Sequence, residues 1–165
     1  MLAAIALMGN ANAAETPKTG DKAPGFTAKD QDGNTVSLAD FSGKQSVLLY
    51  FYPKDNTPGC TKEACGFRDR IDTLKKDGVA VLGVSMDNAE SHKKFIKDQS
   101  LNFPLLVDTD GNISAAYGAK MPNGKMDRRV SFLIDKTGKI AHVTDTPSAD
   151  KHLAEMKEAV EKLKG

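Results

Sequence analysis

The chain has 165 residues, 23 Lys and Arg against 22 Asp and Glu, and a formal charge of +1. That length fits one domain with its own core. The balanced charge without a basic stripe argues against nucleic acid as main partner, and no apolar run approaches the roughly 18 residues that would suggest a membrane span.

Met1 to Met8 is apolar and ends in small residues, with Ala11-Asn12-Ala13 followed by Ala14. This fits a secretory leader over residues 1–14 with an A-x-A cleavage site, although no Lys or Arg precedes the apolar run. A cleaved leader would make the protein periplasmic or secreted. The alternative is an Ala-rich tail on a cytoplasmic protein, and two cysteines do not decide between them. Residues 15–22 form a polar lead-in, and residues 23–165 read as a single domain.

Between Phe26 and Leu38, Asp32-Gly33 separates two short extended stretches, the signal of a β-hairpin. Val47 to Tyr52 is almost wholly apolar and aromatic, as a strand buried on both faces would be. A tight loop follows, and then a helix expected to open at Cys60, with Phe67, Ile71 and Leu74 on one side. Val79 to Met86 is a second central strand. Asp87 and Asn88 offer N-caps for a helix through about Gln99, with Phe95 and Ile96 facing inward. Phe103 to Val107 is strand-like and is broken by Asp108-Thr109-Asp110-Gly111. Val130 to Ile134 and Lys139 to Val143 flank a glycine-containing turn. Ser148 caps a final helix with Leu153, Met156, Val160 and Leu163 as its apolar stripe. Strands alternating with helices in the middle, with hairpins at both ends, predict an α/β fold: a mixed central sheet with helices on its faces.

The chemistry concentrates in Pro53 to Cys65, P-K-D-N-T-P-G-C-T-K-E-A-C, which holds both cysteines. Pro58 and Gly59 supply a turn that places Cys60 at a helix N-terminus. There the dipole and unpaired amides favour a thiolate, and such sites lower a thiol pKa from about 8.5 to roughly 3.5–7.5. Glu63, three residues on, is a candidate orienter that bonds back to first-turn amides.

P-K-D-N-T-P-G-C resembles the P-x-x-x-T-x-x-C signature of the peroxiredoxin family. C-T-K-E-A-C resembles its peroxiredoxin Q subgroup, also called bacterioferritin comigratory protein, and R-V-S-F-L-I-D at Arg129 to Asp135 a second family block. The likeness runs from about Gly20 to the C-terminus and implies a thioredoxin-like fold. It also implies a thiol peroxidase acting on hydrogen peroxide and organic hydroperoxides. Cys60 would be the peroxidatic nucleophile, passing through a sulfenic acid. Thr57 would bond the sulfur and the incoming peroxide, Pro53 would wall the sulfur, and Arg129 would supply a fixed positive charge. Neighbouring Arg128 stands one residue out of register with the family block. Cys65 would be the resolving cysteine in an intramolecular disulfide, reduced in turn by thioredoxin or a similar dithiol. The resemblance implies no metal, flavin or nucleotide, and a monomer. In an intact helix, residues five apart lie with Cα atoms about 8.6 Å apart and side chains about 140° apart. A disulfide does not close beyond about 7 Å, so the helix must unwind for Cys60 and Cys65 to join.

Other readings have less to explain. A protein thiol–disulfide oxidoreductase would use C-x-x-C, where this chain has four residues between the cysteines. A non-enzymatic redox sensor or holdase would need Cys60 but would give Thr57 and Arg129 no role. His92, His142 and His152 lack metal-ligand spacing and read as solvated side chains. Asp108 and Asp110 fit a turn better than a calcium loop.

Overall fold

The computed structural model describes residues 15–164, so the leader expectation for 1–14 lies outside the described residues. Seven strands build one sheet: β1 Thr27–Asp30, β2 Thr35–Ser37, β3 Ser46–Phe51, β4 Val79–Ser85, β5 Leu105–Val107, β6 Val130–Ile134 and β7 Ile140–Asp145. Their order is β2-β1-β5-β4-β3-β6-β7. β3, β4 and β5 run parallel, and the other pairings are antiparallel, so the sheet is mixed as expected. The helices are α1 Pro58–Asp69, α2 Ile71–Lys76, α3 Ala89–Gln99, α4 Asn112–Ala116 and α5 Ala149–Lys164. Among the described residues no helix is long and apolar enough to cross a membrane.

All six residues of β3 are buried, because both faces of the sheet are covered. Leu48, Tyr50 and Tyr52 point into one cluster with Phe67, Ile71, Leu74, Phe95 and Met156 from the helices. Val47, Leu49 and Phe51 point the other way, against Phe132, Ile113 and Tyr117. Each such side chain contributes about 1.5–3 kcal/mol relative to remaining in water.

Several features differ from the sequence reading. The helix after the loop opens at Pro58 rather than Cys60, since proline's missing N–H and fixed φ suit the first helical position. It is also interrupted: Arg70, at φ −105° and ψ 2°, ends α1 and starts α2, while its Nη1 donates to Leu153 O at 2.8 Å. In α5 the apolar stripe holds at Met156 and Val160, Leu153 is half-buried, and Leu163 is 39% exposed in a last turn with no buried residue. The predicted caps hold at Asn88, whose side chain accepts from Ser91 N at 2.9 Å, and at Ser148, which accepts from Lys151 N at 3.3 Å.

Candidate active site

Chain order and register bring the site together at the C-terminal end of β3. The strand leads directly into the Pro53–Thr57 loop and α1, while antiparallel β6 enters beside it with Val130 opposite Phe51. Alternation along β6 turns Val130 and Phe132 to one face and Leu133 to the other. Arg129 and Ser131 share the Leu133 face, towards α1 and α5. Arg128 points away, pairing with Asp145 at 2.8 Å and donating to Gly118 O. This alternation explains structurally why Arg129 rather than its neighbour reaches the sulfur.

Cys60 is the third residue of α1 and is 1% exposed. Arg129 Nη2 donates to its Sγ at 3.3 Å, Nη1 donates to Glu63 Oε1 at 3.0 Å, and Nε donates to Pro147 O at 3.1 Å. Three acceptors thus fix the guanidinium plane. Gly59 permits the approach, because a Cβ there would lie 3.0 Å from Arg129 Nη2. Thr57 is the N-cap, yet it makes no side-chain capping bond. Its hydroxyl donates instead to Lys54 O at 2.8 Å, which corrects the expectation that it donates to the sulfur. Pinned this way, the Thr57 oxygen keeps its lone pairs free, and the first-turn amides of Gly59 and Cys60 remain open to an anion. Pro53 lines a cleft of about 250 Å³ with Met121, Arg129 and Pro147.

Glu63 does not cap the first turn. Because α1 starts at Pro58, Glu63 is the sixth helical residue, and it is fully buried on Arg129. Burial pushes its carboxyl up to about 8, against the opposing pull of Arg129. Cys65 is half-buried with a free thiol, and its Sγ faces Gln99 Oε1 of α3 at 3.6 Å. The two sulfurs therefore look towards different neighbours, Cys60 to β6 and Cys65 to α3.

Two histidines that the sequence reading placed in solvent are buried, both at 0% exposure. His152 Nδ1 lies 2.7 Å from Ser131 Oγ and 3.6 Å from Glu63 Oε2, and burial pushes its pKa below the usual imidazole value. His142 is half-exposed beside Glu155. His92 sets Nδ1 at 2.7 Å from Asp55 Oδ2 and Nε2 at 2.8 Å from Leu106 O. Asp55, in the middle of the cysteine loop, also accepts from Tyr52 Oη at 2.5 Å and Ser91 Oγ at 2.8 Å, while its N–H donates to Asp87 Oδ2 at 2.9 Å. Asp55, Asp87 and His92 bring potential metal-ligand atoms within 4.8 Å of one another. Asp55 and His92 spend theirs on each other, so the set acts as an anchor tying the loop to β4, α3 and β5. His92→Ala would leave Asp55 a buried carboxyl short of one partner. We expect a loss on the order of 3 kcal/mol, read as a fall in Tm of roughly 6–12 °C. An unchanged Tm would show that the anchor carries no stability.

The AhpC/TSA family matches residues 19–143. Peroxiredoxin Bcp of Escherichia coli (strain K12) is 48% identical over 141 residues, covering 82% of this chain and 90% of that protein. Chloroplastic peroxiredoxin Q of Triticum aestivum is 42% identical over 146 residues, 87% of this chain and 67% of its own length. Among solved structures, peroxidoxin BcpB of Mycobacterium tuberculosis superposes with a TM-score of 0.83 at 33% identity, covering 88% of this chain and 97% of that one. A Xanthomonas campestris bacterioferritin comigratory protein, studied for its alkyl peroxide reduction activity, gives 0.77 at 28% identity over 83% and 90%.

Proposed function

The chain belongs to the AhpC/TSA family and is a thiol peroxidase of the peroxiredoxin Bcp/Q type, and from that premise we propose which of its residues carry the reaction. Cys60 thiolate attacks the terminal oxygen of a hydroperoxide. The S–O bond forms as the O–O bond breaks, the sulfur becomes a sulfenic acid, and the departing oxygen takes up a proton to leave as water or an alcohol. Arg129 and the Gly59 and Cys60 amides stabilise the charge developing on the oxygens. Thr57 accepts the peroxide hydrogen, and Pro53 walls the cleft. The observation that carries this reading is the 3.3 Å contact between a buried guanidinium and the sulfur at the start of a helix.

Cys65 thiol then displaces hydroxide from the sulfenic acid, giving the Cys60–Cys65 disulfide and water. A thioredoxin-type dithiol reduces that bond in exchange for its own oxidation. Both cysteines lie in one helix, so the cycle needs no second copy, and we propose a monomer. Hydrogen peroxide and organic hydroperoxides are the substrates, in keeping with the alkyl peroxide activity of the Xanthomonas relative. Export through a leader over residues 1–14 belongs to the same proposal, and N-terminal sequencing of the mature protein tests it.

Intact mass after one equivalent of peroxide tests the chemistry. The expected product is a monomer lighter by two hydrogens, and continued peroxide consumption with a recycling dithiol separates an enzyme from a single-use sensor. An unchanged mass would overturn the proposal. Because α1 separates the two Cα atoms by about 8.6 Å, against a limit near 7 Å, bridging must melt its first turns. Amides 61–64 should therefore lose hydrogen-exchange protection in the oxidised protein, and retained protection there would refute the unwinding.

A further inference from the structure

We propose that Glu63 and His152 hold one proton between them while the Cys60 sulfur is ionised, so that the single guanidinium of Arg129 serves the sulfur. This rests on the peroxidatic reading of Cys60 and assigns a positioning role to two residues that act through Arg129.

The geometry is a cation shared by two acidic groups in a dry pocket. Arg129 reaches Glu63 at 3.0 Å and Cys60 at 3.3 Å, with Glu63 fully buried and the Arg129 side chain 9% exposed. Were both groups anionic, one guanidinium would face two negative charges away from water, an arrangement with a large desolvation cost. The unpaired oxygen shows where a proton relieves it. Glu63 Oε2 has no hydrogen-bond partner among the described residues, and its neighbour is His152 Nδ1 at 3.6 Å.

The proton positions on His152 follow from its partners. Nε2 lies 2.7 Å from the carbonyl of Thr146, which can only accept, so Nε2 carries the ring hydrogen. Nδ1 is then the acceptor for the Ser131 hydroxyl at 2.7 Å. Oε2 thus meets no donor, and because the one Nδ1 lone pair is taken by Ser131, a hydrogen on Oε2 stays with the carboxyl and passes to Nδ1 only as the Ser131 hydroxyl turns from donor to acceptor. Moving that hydrogen onto Nδ1 gives an ion pair of the same total charge. In either form the pair is neutral, and Cys60 with Arg129 completes a neutral pocket.

The other ionisable group facing Glu63 is Tyr50 of β3, whose phenol burial pushes well above its ordinary value, so it stays uncharged, while the carboxylates of Glu155 and Asp145 act on His152. Arg129 comes from the start of β6, His152 from α5, and Cys60 from the same helix as Glu63. Burial, opposed by Arg129, pushes Glu63 up to about 8, which keeps the proton at neutral pH and releases it under mildly alkaline conditions. Its release draws the guanidinium towards the carboxylate and away from the sulfur.

The test is the rate of Cys60 oxidation by hydrogen peroxide across the neutral and alkaline range. In the unaltered protein the rate should fall several-fold as pH rises through about 8. Glu63→Gln, whatever its absolute rate, should lose that decline, and His152→Gln should displace it to another pH. Carbon-13 titration of the glutamate carboxyls gives a second readout that needs no altered Glu63. One signal should titrate near 8 in the unaltered protein. It should move down in Cys60→Ser, where removing the rival anion leaves the guanidinium to Glu63. An active Glu63→Gln with the decline intact, or glutamates that all titrate in the ordinary carboxyl range, would overturn the inference. If Cys60 fails to consume peroxide at all, the peroxidatic reading falls instead, and the two failures are distinguishable.

Discussion

Replacing Cys60 with serine should reduce peroxide turnover to the uncatalysed background. A serine hydroxyl keeps its proton far above neutral pH even beside a guanidinium, so the attacking anion is lost although the pocket remains. Cys65 cannot substitute, since its sulfur looks to Gln99 on the opposite flank of α1. Cys65→Ser should instead consume one equivalent of peroxide and then stall as a sulfenic acid, or overoxidise under excess peroxide. Stopped-flow peroxide consumption with trapping of the sulfenic acid measures both. A Cys60→Ser protein that retains the full rate would remove the proposed mechanism, and a Cys65→Ser protein that recycles freely would remove the intramolecular bridge.

Arg129→Ala should slow the attack by about 10²–10³-fold, the usual effect of deleting one preorganised donor to a developing oxyanion. The substitution removes the contact to Cys60 and leaves Glu63 buried without its cation. Lysine should rescue poorly, because one ammonium cannot reproduce the planar fork that holds Glu63, Cys60 and Pro147 together. The decisive comparison is single-turnover oxidation of the reduced protein by peroxide without a recycling dithiol, with thiol alkylation at neutral pH as a measure of thiolate. A rate within a few-fold of the unaltered protein, at unchanged alkylation, would deprive Arg129 of its electrostatic role.

The parts of the site that could be read from sequence are those fixed by local spacing. The run from Pro53 to Cys65 is contiguous, so proline, glycine and helix chemistry specify the loop, the helix start and the place of Cys60. Arg129 is 69 residues away and became readable only through a family pattern, its orientation following from strand alternation once β6 is paired with β3. The two buried histidines were not legible. His92 meets Asp55 across 37 residues, and His152 meets Glu63 from a different helix. A lone histidine on an amphipathic helix has no periodic signature to separate a buried partner from a solvated one. Glu63 was placed on the wrong partner for a related reason: the capping pattern is local, whereas desolvation under β6 and α5 decides what the carboxyl does. The early helix start was in principle readable, since proline is favoured at the first helical position. The break at Arg70 was not, because it is held by a carbonyl of α5.

That break works as a firebreak. On the proposed mechanism order is surrendered around Cys60 in every cycle, and an unbroken helix from Pro58 to Lys76 would offer a continuous ladder along which the loss could spread. Arg70 instead ends one ladder, starts another and is clamped to Leu153 O at 2.8 Å, a boundary at which melting of α1 would stop before α2. Such a boundary would let the proposed cycle recur many times while the scaffold beneath stays folded.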